Sequence, residues 1–229
     1  MADYKRSQAQ SCRHGRCITM NFLIACDQTY YDDWGHELLR SIQYHNPWLN
    51  LHCHIVNPTT KKKGLVYVDY TTETRQFTSE SNRLGYLQAA RFLAVADKFK
   101  NEDLVVTTDA DTICTRAVDP DEYNDLCSNV NILTHQKHNG WLCGLLSYGS
   151  GTFKSDYANA LRSIPIEEWE VGHDQRILPK LENDHKFRVL SKDWMSIGKH
   201  RNSSVFYTLK GNDRKNKYFF NSYKSFLIP

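Results

Sequence analysis

Asp103-Leu-Val-Val-Thr-Thr-Asp-Ala-Asp111 joins an unbroken, strand-length apolar run to two carboxylates one residue apart. An apolar run without polar alternation is that of a strand buried on both faces, as in a parallel sheet covered by helices. Ligands of open α/β sheets bind outside the carboxyl ends of the strands, so Asp109 and Asp111 are expected at the mouth of a site. Two carboxylates at this spacing can turn toward one hard cation. The cation's remaining positions then go to water and substrate phosphate oxygens, as Mg²⁺ or Mn²⁺ requires. A metal-bridged diphosphate is the ligand this chemistry points to.

The punctuation around this run is that of an α/β chain. Ile18–Ala25 is a second unbroken apolar run, and after it Asp32 and Asp33 read as the cap of a helix with Trp34, Leu38, Leu39 and Ile42 on one face. Leu51, Cys53 and Ile55 alternate with His52 and His54, a strand with one face less buried. Leu65–Tyr70 reads as the next strand, following the solvated turn at Lys61–Gly64. From Ser81 to about Phe99 the spacing of Leu84, Leu87, Phe92 and Val95 predicts an amphipathic helix leading into the Leu104 strand. Asp119-Pro120 opens a short helix; strands are expected near Val130–Thr134 and Leu142–Tyr148, and a helix near Lys154–Ile164. Buried strands alternating with helices from Ile18 to about Lys180 predict an α/β sandwich with a mainly parallel central sheet.

At 229 residues and 26.7 kDa the chain fits one generous domain, expected over 18–229, with a C-terminal excursion from about 186. Lys and Arg total 29 against 26 Asp and Glu, too small a bias for a nucleic-acid reader. The seven cysteines (12, 17, 26, 53, 114, 127 and 143) are odd in number and scattered. They form neither a disulfide framework nor paired zinc ligands, and are expected as reduced thiols in a cytoplasmic protein. No stretch approaches the ~20 apolar residues of a bilayer span. Residues 1–17 are polar and basic and are expected to be a flexible leader.

On this framework the chain resembles the retaining glycosyltransferases of the GT-A fold, the group of glycogenin and the lipopolysaccharide galactosyltransferases, which carry a DxD motif after a hydrophobic strand. Ala25-Cys-Asp-Gln-Thr-Tyr30 is similar to the family's uracil and ribose segment, with Ala25, Asp27 and Tyr30 at the matching positions. Ala89-Ala-Arg91-Phe92 is similar to its aromatic-x-Arg segment, whose Arg reaches the sugar nucleotide. Trp141-Leu-Cys-Gly144-Leu-Leu resembles Phe-Asn-Ala-Gly-Val-Met, and Asp174-Gln175 matches the Asp-Gln pair near the donor sugar.

The resemblance implies a metal-dependent hexosyltransferase. Its donor would be UDP-glucose or UDP-galactose, with Mn²⁺ or Mg²⁺ on Asp109 and Asp111. Donor contacts fall on Ala25, Asp27, Tyr30, Arg91, Ala110 and Gly144, and Asp174 and Gln175 lie at the catalytic centre. Two departures stand out. Leu142 replaces the family's Asn, and the late His-x-x-Gly, whose His is a third metal ligand, aligns with Thr208-Leu-Lys-Gly211; His200 lies nearby. Arg214 and Lys215 stand near the position of the family's Lys on the leaving diphosphate.

Chemistry agrees with the name. A divalent cation with Lys210 or Arg214 would stabilise a departing nucleoside diphosphate. The neutral Gln175 amide is a poor nucleophile and cannot act as a base, which favours retention of configuration. Asp174 also reads as a helix N-cap, and Arg91 as a snorkelling or paired side chain. Two other classes fit parts of the sequence. Asp109-Ala-Asp111-Thr112 satisfies the opening of haloacid-dehalogenase-type phosphatases, with Asp109 as nucleophile, but that family needs a later acidic pair after another apolar strand. A non-catalytic carbohydrate-binding module would use the aromatic residues, yet has no need of a strand-end DxD.

Overall fold

The computed structural model describes residues 10–13, 16–59, 64–135, 140–149, 151–198 and 203–208. Strand β1 (Gln10–Arg13) pairs antiparallel with the start of β2 (Arg16–Asp27), Gln10 opposite Thr19. The fold thus reaches back into the segment expected to be a flexible leader; residues 1–9 lie outside the described residues. After β2 the chain turns directly through α1 (Gln28–Tyr30) and a π-helical turn (Tyr31–Gly35) into α2 (His36–His45). Asp32 and Asp33 are not the cap. Asp27 is: it ends the strand at φ −77°, ψ 169°, and its carboxylate accepts the Tyr30 N–H at 2.8 Å. Asp32 instead accepts from the Gln28 side chain at 3.0 Å.

Strands β3 (Asn50–Val56) and β4 (Val68–Glu73) follow. β4 starts three residues later than the Leu65–Tyr70 run, because its parallel register sets Val68 against Leu51 and Glu73 against Val56. Leu65 and Tyr67 pack on the core from the preceding loop. α3 (Glu80–Lys98) is capped by Ser79, whose hydroxyl accepts the Asn82 N–H at 3.1 Å. Then come β5 (Leu104–Thr108), β6 (Ile113–Cys114), α4 (Pro120–Leu126, capped by Asp119), β7 (Val130–His135), β8 (Gly140–Tyr148) and α5 (Phe153–Arg162). α6 (His173–Leu181), β9 (Phe187–Val189), β10 (Met195–Ile197) and β11 (Phe206–Thr208) complete the described chain.

The central sheet runs β4-β3-β2-β5-β8-β7-β9 and is parallel except for β8, which is antiparallel to both neighbours. A small sheet, β10-β11-β6, closes one side. β2 shows why the sheet is buried on both faces. Met20, Phe22, Ile24 and Cys26 enter one apolar layer with α2 and Phe206, whereas Leu23 and Ala25 enter the opposite layer with α3, α5 and α6. Among the described residues no helix is long and apolar enough to cross a membrane.

Two details tie this scaffold to the strand ends. Lys154, buried at the start of α5, donates to the carbonyls of Asn101, Asp103 and Gly149 at 3.2, 2.8 and 3.1 Å and so fixes the entry to β5. On α3, Gly85 lets the Glu170 backbone approach until an added Cβ would stand 2.6 Å from it. Gly85→Ala should therefore lose about 1–3 kcal/mol of stability in urea unfolding, as overpacked sites do. An unchanged midpoint would show that the Glu170 segment can move away freely.

Candidate active site at the carboxyl ends of the central strands

Asp109, Ala110 and Asp111 follow β5 directly. The Asp109 N–H and the Thr108 hydroxyl both donate to the Gly144 carbonyl, at 3.1 and 2.6 Å, so Gly144 clamps the DxD turn to β8. Ala110 is buried with its methyl in the apolar layer, which leaves only its backbone to face a ligand. Asp111, 3% exposed, receives the Tyr30 hydroxyl on Oδ2 at 2.6 Å. Its carbonyl accepts from Thr208 at 3.1 Å. Thr208, which the resemblance sets where those transferases carry a His, thus stands beside the motif and supports its backbone.

Arg91 reaches the same point from α3. It is 5% exposed, ion-paired to Asp109, and donates through Nη2 to the Cys143 carbonyl at 2.6 Å. Burial disfavours its charge, but Asp109 and then Asp174 more than compensate and hold the guanidinium protonated. Arg91 is therefore paired, not snorkelling.

Asp174 lies in the first turn of α6 and is 2% exposed. The N-cap position belongs to Gly172, at φ 86° in the left-handed region that favours glycine, and the Gly172 N–H donates to Gln88 of α3 at 2.9 Å. Burial pushes the Asp174 carboxyl up, against the opposing pull of Arg91. Its Oδ1 is buried with no hydrogen-bond partner among the described residues, while the Gln175 N–H and the Cys143 thiol also act on the carboxyl. Gln175 follows on the same turn, half-buried.

Ala25 and Asp27 end β2 beside a pocket of about 150 Å³ lined by Asp27, Gln28, Asn57, Phe77, Arg83 and Leu87, among others. Asn57 shapes its rim at φ 54°, a conformation asparagine tolerates, while its side chain exchanges hydrogen bonds with the Arg75 backbone at 3.0 and 2.7 Å. Leu142, partly buried, packs on the apolar layer, consistent with an apolar residue where the family has Asn. His200, Lys210, Arg214 and Lys215 lie outside the described residues. Among the described residues no group of three His, Cys, Asp or Glu could hold a metal, and Asp109 with Asp111 would be a set of two carboxylates. Such a set suits Mg²⁺ or Mn²⁺, which keep several waters and use substrate phosphate oxygens.

Two residues that the motifs do not single out also bear on the site. Arg83 donates to Asp27 Oδ2 at 2.5 Å and pairs with Glu80. It stands two turns before Arg91 on the same side of α3, a spacing legible in the sequence. Tyr157, fully buried on α5, donates to the Asp174 carbonyl at 2.7 Å and meets Cys143 Sγ at 3.5 Å. No sequence signal marks it.

A larger cleft, about 540 Å³, lies on the other flank of α3 and is lined by His54, Glu73, Arg75, Tyr86 and Trp169, among others. Its polar groups satisfy one another. Burial pushes the Glu73 carboxyl up, but hydrogen bonds from His54, Tyr86 and Arg75 outweigh it and bring it down to about 2. We read this cluster as structural.

No protein-family model matches the chain, and no curated protein does. Among solved structures it is similar to the galactosyltransferase LgtC in complex with donor and acceptor sugar analogs. The TM-score is 0.61 at 12% identity, over 92% of this chain and 98% of that one, and an active-site mutant of LgtC gives the same values. The glycosyltransferase GlyE of Streptococcus pneumoniae TIGR4 aligns with a TM-score of 0.49 at 19% identity, over 77% of this chain and 46% of that one. The architecture is thus the GT-A-like α/β fold of LgtC. A phosphatase arrangement with Asp109 as nucleophile lacks its acidic pair: β8 runs antiparallel to β5, and β7, parallel to it, leads into Gln136-Lys-His-Asn139.

Proposed function

We propose that the chain is a metal-dependent glycosyltransferase that moves a hexose from a UDP-sugar, UDP-glucose or UDP-galactose, to an acceptor hydroxyl with retention of configuration. The observation that carries this reading is the buried Arg91, ion-paired to Asp109 at the end of β5 and held charged also by the field of Asp174 at the start of α6. The likeness to a galactosyltransferase complexed with donor and acceptor sugar analogs supports a sugar donor. Cys26, Cys53, Cys114, Cys127 and Cys143 are buried free thiols, which accords with a reducing setting.

In this reading Asp109 and Asp111 hold Mn²⁺ or Mg²⁺. When bound, the cation offsets the charge that builds on the diphosphate as the sugar–phosphate bond breaks. Ala25, Asp27 and Tyr30 hold the nucleoside, with Arg83 orienting Asp27. Arg91 and Asp174 take donor-sugar hydroxyls; the Asp174 oxygen without a partner gains one only when the sugar is present. Ala110 and Gly144 offer backbone, and Lys210 or Arg214 meets the diphosphate. Gln175 presents an amide to the reacting centre. Since an amide cannot deprotonate an acceptor attacking from the far face, the acceptor attacks on the leaving-group side and the departing diphosphate takes its proton.

A thermal-shift series of nucleotide sugars, with and without Mn²⁺, tests the reading. UDP-hexose with Mn²⁺ should raise the melting temperature, and EDTA should remove the gain. A shift with another nucleotide and none with any UDP-sugar would overturn the donor assignment. Hydrolysis of p-nitrophenyl phosphate would instead favour the phosphatase reading, and sugar binding without turnover a carbohydrate-binding module.

A further inference from the structure

The antiparallel register of β1 on β2 sets Cys12 opposite Cys17, between the pairs Ser11–Ile18 and Arg13–Arg16. In the sequence these are two of seven scattered cysteines, and a gap of four residues alone says nothing of pairing. The register does. Residues directly opposite each other in an antiparallel pair alternate between Cα separations of about 4.5 Å and about 5.5 Å. A disulfide needs roughly 4.4–6.8 Å, so a position of either kind admits one without moving the backbone.

The surroundings of the pair favour that bond. Arg13 and Arg16 form the next register pair, and each is the chain neighbour of one of the two cysteines. Cationic neighbours favour the thiolate, the form that attacks a disulfide. The two arginines are also like charges at opposite positions, which weakens a ladder of four pairs. β1 lies off the path of the central sheet and pairs with β2 alone, ahead of Met20 and Asn21, where β2 joins β5 and β3. A lone two-stranded ribbon is marginal in water, so a covalent tie there has a large effect. Cys26, Cys53, Cys114, Cys127 and Cys143 are buried, the setting in which thiols are inert.

We propose that Cys12 and Cys17 are a redox-responsive dithiol whose oxidation to a cross-strand disulfide ties β1 to β2. The oxidant is a small disulfide such as oxidised glutathione. One cysteine thiolate attacks it, forms a mixed disulfide and releases one glutathione thiolate. The opposite thiolate then attacks the protein sulfur of that mixed disulfide and releases the second. Two electrons pass to glutathione, one S–S bond replaces another, and the two thiol protons end on the two released glutathiones. In a reducing pool the exchange runs backward and the pair stays as thiols. The pair stands at the start of β2 and Asp27 at its end, so the dithiol is independent of the candidate active site.

The test equilibrates the native full chain at pH 8 in graded ratios of reduced to oxidised glutathione, unfolds it in N-ethylmaleimide, and reads the intact mass. The wild type should pass from seven adducts, one on each cysteine, to five, with no glutathione attached. Cys12→Ser and Cys17→Ser should each form no internal bond, carrying either six adducts or five with one glutathione. Trypsin cuts after Arg13 and Arg16, so peptides 7–13 and 17–40 of the oxidised wild type should stay joined until reduced, with tandem mass spectrometry placing the bond at Cys17 and not at Cys26. Amide hydrogens of residues 10–13 should exchange about tenfold more slowly in the oxidised chain. Seven adducts at every ratio, glutathione retained without an internal bond, a bond at Cys26, or unchanged exchange over residues 10–13 would each overturn the proposal.

Discussion

Asp111→Asn should lower glycosyl transfer by about 10³-fold at saturating Mn²⁺, the scale of removing one electrostatic support from a charge-developing reaction. The substitution is nearly isosteric. Thr208 still holds the main chain at residue 111, and the Tyr30 hydroxyl can still donate to an amide oxygen, so the melting temperature of the ligand-free protein should change little. On the proposed reading what is lost is a negative charge from the cation's protein ligands; among the described residues no group of three His, Cys, Asp or Glu could hold a metal. The stabilisation that UDP-hexose with Mn²⁺ gives the wild type should therefore also disappear. Full metal-dependent turnover in the variant would exclude Asp111 as a ligand.

What the sequence discloses divides along the range of the interactions involved. Leu104–Thr108 and the Ile18–Ala25 run disclose their strands because burial on both faces leaves an unbroken apolar string, and Asp119-Pro120 discloses the helix start it caps, whereas the α3 cap is Ser79, two residues before the Ser81 expected as that helix's start. The shift of β4 from Leu65 to Val68 is not legible: both runs suit a strand, and only pairing with β3 selects the register. The cap after β2 goes to Asp27, not Asp32 and Asp33, because the chain bends into helix at once, with no loop between. Among site residues, Asp109 and Asp111 follow from a local rule about strand ends. Arg91 and Asp174 come to attention only through the family resemblance, since 83 residues separate two groups that feel each other's charge across the fold. Tyr157 could not be found, because a buried tyrosine on an amphipathic helix has the same local pattern whether it fills space or holds the Asp174 carbonyl.

Arg91→Met is expected to be the most destabilising single change near the site. Methionine keeps much of the volume, so the loss comes from charge. Arg91 is 5% exposed and carries the ion pair to Asp109, the bond to the Cys143 carbonyl, and the attraction that opposes the burial of Asp174. Removing one partner from a buried pair leaves an uncompensated charge, a loss of about 3–5 kcal/mol that urea unfolding would measure. The pH dependence identifies the cause. Asp174 already sits above the ordinary carboxyl range because of burial, and without Arg91 it should rise further. A carboxyl raised in the folded state binds more protons folded than unfolded, so its contribution to stability falls as pH rises and recovers as pH is lowered. The deficit of Arg91→Met should accordingly be smaller at pH 5 than at pH 8. Adding Asp174→Asn to Arg91→Met should recover part of the loss, since the double variant no longer buries that carboxylate unpaired. A deficit below about 1 kcal/mol, or one equal at both pH values and untouched by Asp174→Asn, would mean that Arg91 does not offset the two carboxylates. The electrostatic link between the end of β5 and the start of α6 would then have to lie elsewhere.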